Sequence, residues 1–153
     1  MDVRALVEVG TWLRDQRYEF TTITPESHRR VIARDPIART LRDVFGWSRA
    51  FAPLLLPPAI LAALERAGAL AQRADLLASR VRFSTLAGGL YAHSAYPTTD
   101  EHAVFFGPDT YRFCGLLRRE VHQARRVVDL GCGSGVGGLS IGDRVARIVL
   151  TDI

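Results

Sequence analysis

The sequence contains no lysine: all 20 of its basic residues are arginine. That absence excludes a Walker-type phosphate loop, whose lysine must reach the nucleotide phosphates. It also excludes Schiff-base chemistry on a lysine within this stretch. Cysteine is scarce as well. Cys114 and Cys132 stand in unlike surroundings and offer neither a disulfide framework nor a metal-ligand spacing, which suits a reducing cytoplasm. The four histidines, His28, His93, His102 and His122, also lack metal-ligand spacing, so no metal site is expected.

Long apolar runs are missing too. The most apolar stretch, Phe51 to Leu64, is broken by Pro53, Pro57 and Pro58 and is shorter than the roughly 20 residues that cross a bilayer. The start, Met1-Asp2-Val3-Arg4, is too polar for a secretory signal. These features predict a soluble, cytoplasmic protein with no membrane partner. Heavy use of Arg and Ala fits coding from a GC-rich, bacterial genome.

What is present is a chain able to fold. Its 153 residues are 48% apolar, enough for a packed core and too many for a disordered tail. The net charge of +4 is unevenly spread. Up to Tyr96 there are 13 Arg against 9 acids, and from Pro97 onward 7 against 7. An anionic partner such as RNA is one reading of that excess; a solvated helix face is the other. Arg29, Arg30, Arg34, Arg39 and Arg42 follow helical spacing, with Glu26, Asp35 and Asp43 at hand to pair with them.

The first part reads as helical. Val3 to Arg17 carries Val3, Leu6, Val7 and Leu13 on one face. Thr24-Pro25-Glu26 has the residues of a helix start. Asp35-Pro36 repeats that signal for a helix closed by Gly46, with Ile37, Leu41, Val44 and Phe45 facing inward. Pro57-Pro58 opens another, anchored by Leu61 and Leu64 and stopped at Gly68. Ala74 to Ser79 is expected to add a short helix. The period then falls to two: Val81, Phe83 and Thr85 alternate with Arg82 and Ser84, Ala87-Gly88-Gly89 turns, and Leu90 to Ala95 returns. Trp12 and Trp47 are candidate core anchors. Helices followed by a hairpin suggest a winged-helix-like module, a type that often binds nucleic acid or protein and is as often plain scaffold.

Tyr96 to Asp100 reads as a connector. Beyond it the predicted order is a helix from Thr110 to His122, a buried strand from Arg126 to Leu130, a glycine-rich loop with a short helix over Gly131 to Gly142, and a strand from Arg147 to Thr151. In the helix Tyr111, Phe113, Leu116, Leu117 and Val121 are available for burial. This is the opening of a doubly wound α/β sheet. The expected organisation is a helical accessory or substrate-recognition domain over 1–100, ending in a β-hairpin, and the beginning of a parallel α/β domain over 101–153.

The chemistry is concentrated in Val127-Val128-Asp129-Leu130-Gly131-Cys132-Gly133-Ser134-Gly135. A strand must turn sharply into a helix here, and glycines at alternate positions supply positive φ and let a ligand approach the backbone. Asp129, at the strand tip, is placed to face a positively charged group. Asp152, 17 positions after Gly135, falls at the tip of the next strand, where a carboxylate can accept from both hydroxyls of a ribose. Cys132 beside the turn reads as a small packed residue rather than a nucleophile.

The stretch Asp129-Leu130-Gly131-Cys132-Gly133-Ser134-Gly135, with Asp152 after it, resembles motif I and the ribose-binding acid of class I S-adenosylmethionine (SAM) dependent methyltransferases. Upstream, Phe105 to Phe113 is similar to the lead-in of the small-domain methyltransferases, which modify ribosomal RNA bases or a release-factor glutamine. Phe20 to Pro25 and His93 to Pro97 look like the accessory domain of uncharacterised actinobacterial-type relatives. The specific resemblance covers about the last third of the chain. It implies a Rossmann-like SAM-binding sheet preceded by the accessory domain, with SAM as cofactor. It implies Asp129, Gly131, Cys132, Gly133, Gly135 and Asp152 as cofactor-binding residues, Thr110 and Tyr111 against the methionyl end, and N-methylation of RNA or protein by the intact enzyme.

The sequence departs from that family by ending at Ile153, before the Asn-Pro-Pro-Tyr-type motif that holds the target nitrogen. The expectation is therefore an N-terminal fragment with no assignable catalytic residue, a weak cofactor site and no activity by itself. Two alternatives stay open. Gly133-x-Gly135-x-x-Gly138 also satisfies the dinucleotide fingerprint of an NAD(P)-binding oxidoreductase, although Asp129 would then sit near an anionic pyrophosphate. The other alternative is a non-catalytic module binding nucleic acid or protein, in which the glycines serve only a tight strand-to-helix crossing.

Overall fold

The computed structural model describes residues 2–152, and the architecture is a mixed α/β fold of short helices and three separate two-stranded sheets. Helices α1 (Val3–Asp15), α2 (Pro25–Arg34), α3 (Leu41–Phe45) and α4 (Pro58–Arg66) come first. Hairpins β1 (Leu70–Arg73) with β2 (Leu76–Ser79) and β3 (Val81–Leu86) with β4 (Gly89–Ser94) follow. The remainder is α5 (Pro108–Glu120), β5 (Val127–Leu130), α6 (Val136–Leu139) and β6 (Ile148–Thr151), with β5 and β6 paired in parallel. No helix among the described residues is long and apolar enough to cross a membrane.

Capping chemistry sets the helix starts. The Asp2 carboxylate accepts from the amides of Arg4 and Ala5 at the head of α1. Thr24 caps α2 with Pro25 in its first turn, as its sequence signal predicts. The signal at Asp35-Pro36 is not used in that way. Helix α3 starts only at Leu41, where Thr40 and Asp43 form a reciprocal capping box, and Ile37 instead lies 40% exposed beside Ala50 in an isolated bridge. A helix begins where two side chains satisfy its orphan amides together, and Thr40 with Asp43 does this better than Asp35 alone.

The expected helix over Ala74 to Ser79 is a strand. Ala74 adopts φ 52 in the turn, β2 folds back on β1, and Leu77 exchanges both backbone hydrogen bonds with Phe51 at 2.8 Å. Tertiary pairing outweighs the modest helix propensity of so short a segment. The second hairpin matches its pattern: Ala87 and Gly88 both take positive φ, the geometry of a type I′ turn. The alternation in β3, however, does not divide core from solvent. Val81, Arg82, Phe83 and Ser84 are all buried.

The main core gathers Val9, Leu13, Val44, Phe45, Phe51, Leu64 and Phe83, with Trp12 and Trp47 packed against it. On α1 the buried line is Ala5, Val9 and Leu13, while Val3 and Val7 are 68% and 62% exposed; the stripe is rotated from the one expected. A smaller core joins Phe106, Cys114 and Val136 to Leu86, Tyr91 and Tyr111. In α5 the buried residue is therefore Cys114, and Phe113 and Leu116 lie on the exposed side. Nor is β5 the buried strand expected, because Val128 and Leu130 face outward. Helix α6 lies on the Asp129 side of the β5–β6 pair with α5 packed against α6, and the other face of the pair, with Val128 and Leu130, is left to solvent.

Candidate functional site

Strand β5 runs into the glycine loop with Gly131, Gly133 and Gly135 all at positive φ, +69, +52 and +73. Only glycine takes three such turns at alternate positions without steric cost. An added Cβ would meet no atom within 4 Å at Gly131, so open space adjoins the backbone there. Two bonds close the loop: Cys132 donates to the Thr151 carbonyl at 3.0 Å, extending the β5–β6 ladder, and Gly135 donates to the Cys132 carbonyl at 2.8 Å.

The two carboxylates singled out in the sequence both reach this loop and its helix. Asp129 Oδ2 accepts from the Gly138 amide at 2.8 Å. Asp152 Oδ2 accepts from the Gly133 amide at 2.7 Å. The parallel register sets Asp129 opposite Leu150 and Leu130 opposite Thr151, so the two acids leave neighbouring strand ends. Asp129 is half-buried and Asp152 exposed. Among the described residues Asp129 forms no ion pair with any arginine. Arg118 donates to the Ser140 carbonyl, and Arg144 to the carbonyls of Arg118 and Val121 besides its ion pair with Asp143 at 3.8 Å.

Helix α6 packs on the sheet at contact distance. A Cβ on Gly138 would lie 2.8 Å from Leu150 and 3.0 Å from Ile148; one on Gly137 would lie 2.8 Å from Asp129 Oδ2 and 3.1 Å from the Phe113 ring. These two glycines are structural parts of the site that the methyltransferase pattern left out, though Gly138 was visible as the third glycine of the dinucleotide pattern. The N-cap of α6 is Gly135, which has no side chain, so Asp129 supplies the missing cap from the neighbouring strand.

Thr110 and Tyr111 stand at the start of α5 with their hydroxyls engaged elsewhere. Thr110 Oγ1 accepts from the Gly107 amide at 3.2 Å. The Tyr111 hydroxyl accepts from the Thr22 amide at 3.0 Å, and its ring sits edge-on to Phe106 at 5.4 Å. Each hydroxyl keeps its proton to donate, but both residues tie α5 to what precedes it. Cys132 is a free, half-buried thiol. Cys114, in contrast, is wholly buried with its thiol against the Val136 carbonyl, and burial raises its pKa.

The sequence pattern did not reveal a buried polar chain beneath β3 and β4. Thr22 Oγ1 lies 2.6 Å from Ser84 Oγ, which lies 2.8 Å from His93 Nε2. The His93 ring stacks on Phe106 at 4.9 Å, and its Nδ1 is buried with no hydrogen-bond partner among the described residues. Burial, reinforced by the Arg82 charge, depresses the His93 pKa to about 3. His28 stacks on Tyr96 at 4.2 Å, and its Nε2 lies 2.9 Å from the Trp47 carbonyl. The same two causes, burial first, bring its pKa to about 4. Arg82 is 3% exposed, donates to the Ser94 carbonyl, and has no carboxylate partner among the described residues. No group of three or more His, Cys, Asp or Glu among these residues is arranged to hold a metal. No family model matches the chain, and no curated protein is similar enough to count as a match.

Proposed function

We propose that the β5–α6–β6 unit is the nucleoside-binding start of a Rossmann-like sheet, that its ligand is S-adenosylmethionine, and that the chain belongs to a methyltransferase acting on a nitrogen of RNA or protein. The carrying observation is that Asp129 and Asp152, at the ends of two parallel strands, both bond to amides of one glycine-rich segment. SAM carries a sulfonium and an amine and no phosphate, so two carboxylates beside an open bend complement it.

The residues fit that group. Open space at Gly131 admits a ligand against the backbone, Asp129 offers a carboxylate to the methionyl amine, and Asp152 one to the ribose hydroxyls. Cys132, Gly133 and Gly135 shape the turn between them. SAM supplies a methyl group on a good leaving group, so the protein's work is binding and orientation. The first part, with its helices and the β3–β4 hairpin, serves in this reading as a winged-helix-like recognition module.

The arrangement disfavours a dinucleotide. A pyrophosphate needs the amides at the head of the helix after the loop, and Asp129 already occupies the Gly138 amide. A phosphate there would meet a like charge. A scaffold reading draws on the same bond, since capping α6 is sufficient reason for Asp129 to be an acid.

Nuclear magnetic resonance titration of the chain with SAM separates these readings. With only two strands forming the site, weak binding is expected, with a dissociation constant near 1 mM, about −4 kcal/mol. Amide shifts confined to residues 129–138 and to Asp152, present with SAM and absent with NAD, support the proposal. Equal shifts with NAD, or none with either, reject it.

A further inference from the structure

A second concave site lies away from the glycine loop. It is a cleft of about 730 Å3, walled by the end of α2, the β1–β2 hairpin and the segment after β4. Arg49, Arg73 and Arg80 line it, with Asp100 as its one acid. Arg49 is committed to Asp43 at 2.8 Å. Arg73 and Arg80 are exposed and form no ion pair among the described residues. Behind the wall, the buried Arg82 donates to the carbonyl of Ser94, which itself lines the cleft. A cation held in low dielectric with no opposing carboxylate projects its potential toward the nearest open space. Tyr96 also lines the cleft, with its ring backed by His28 at 4.2 Å.

We infer that this cleft binds the phosphodiester backbone of a single-stranded nucleic acid. Two guanidiniums on its rim with no carboxylate partner among the described residues (Arg80 Nε donates only to the Leu70 carbonyl, at 3.4 Å), a third cation behind it and an aromatic ring on its wall are the elements by which extended strands are held without sequence preference. Guanidinium also matches phosphate geometry better than any other cationic side chain. The cleft has the scale of a small-guest pocket, which suits an extended strand of a few nucleotides rather than a duplex. As a binding surface the cleft stands independently; as the acceptor-side surface of a methyltransferase it rests on the reading above.

Fluorescence anisotropy of the chain with labelled oligouridine and oligothymidine, at several salt concentrations, tests this. Binding by the unaltered chain is expected, with Arg73→Glu/Arg80→Glu weakening it about tenfold or more. The neutral pair Arg73→Gln/Arg80→Gln should lower the slope of log K against log salt by about 1.4, two single-strand phosphate contacts. Arg4→Glu/Arg14→Glu, the same charge change on α1, should have little effect. Circular dichroism confirms that each variant is folded, and the Gln pair decides if the Glu pair is not. No oligonucleotide binding by the unaltered chain, equal loss from the α1 control, or tighter binding of labelled polyglutamate than of either oligonucleotide would overturn the inference. Preference for the ribose or deoxyribose oligomer tells RNA from DNA. Asp129→Ala should leave oligonucleotide binding intact, so failure here and failure of the SAM reading are told apart.

Discussion

The Asp129 carboxylate reaches from the end of β5 to the Gly138 amide, 2.8 Å away in the first turn of α6. One side chain thus caps a four-residue helix whose own N-cap is glycine, and in the SAM reading proposed above the same carboxylate would also meet the cofactor amine. The two roles make different demands, and substitution separates them.

Asp129→Ala removes the cap and should cost about 1 kcal/mol, read as a lower urea midpoint. Asp129→Asn keeps an acceptor for Gly138 and should change stability by no more than a few tenths. If Asp129 also binds the amine of SAM, Asn should abolish the titration shifts while leaving the urea midpoint in place. Retained shifts in Asp129→Asn would reduce the residue to its capping role.

Gly138→Ala pushes a methyl group to within 3 Å of Leu150 and Ile148, a clash between helix and sheet that should cost about 1–3 kcal/mol. Gly131→Ala meets no neighbouring atom but must hold positive φ, at about 1–2 kcal/mol. Both should lower the thermal midpoint. The β5–β6 amides should lose hydrogen-exchange protection more in Gly138→Ala.

His28 and His93 are held neutral with pKa values near 4 and 3, against about 6.5 in an unfolded chain. Between these limits the unfolded state binds more protons, so stability is complete above pH 6.5 and falls as the pH drops toward 3. The depressed pKa of Asp43, held down by hydrogen bonds from Arg39 and Thr40 and by the Arg49 charge, adds a further loss below about pH 4. Urea midpoints at pH 7 and pH 5 should differ clearly. His93→Leu removes a buried nitrogen that has no hydrogen-bond partner among the described residues and should narrow that difference; an unchanged difference would show that His93 does not titrate with unfolding.

Tyr111→Phe deletes the acceptor for the Thr22 amide. An amide left buried without a partner costs about 1–3 kcal/mol. The loss should appear as faster hydrogen exchange at Thr22 together with a lower melting temperature, since that bond links α5 to the segment before α2.

Several features were legible because they depend on near neighbours in the chain. The caps at Thr24 and Pro25, the stop at Gly68 and the Ala87-Gly88 turn follow from local sterics and hydrogen bonding, and the structure contains them. The glycine spacing that forces the turn after β5 and the acid after β6 belong with these. The strand at Leu76–Ser79 was not legible, because its partners are β1 and the distant Phe51. Helix α3 began five residues later than the Asp35-Pro36 signal because two capping sequences competed and the reciprocal one prevailed. The burial of Arg82 and Ser84 ran against their alternation in β3, since elements pack on both faces of that strand.

By itself the sequence determined where the chain bends and which residue types stand at the bends, because backbone sterics and capping act over a few residues. It also determined the absence of a lysine-dependent phosphate loop. Tertiary structure alone decided that Asp129 and Asp152 bond to the helix and the loop of one glycine-rich segment, that His93, Ser84 and Thr22 meet in a buried chain, and that Arg73 and Arg80 share a cleft. Those meetings join residues 7 to 71 positions apart, and only the packing of whole elements against one another fixes such distances.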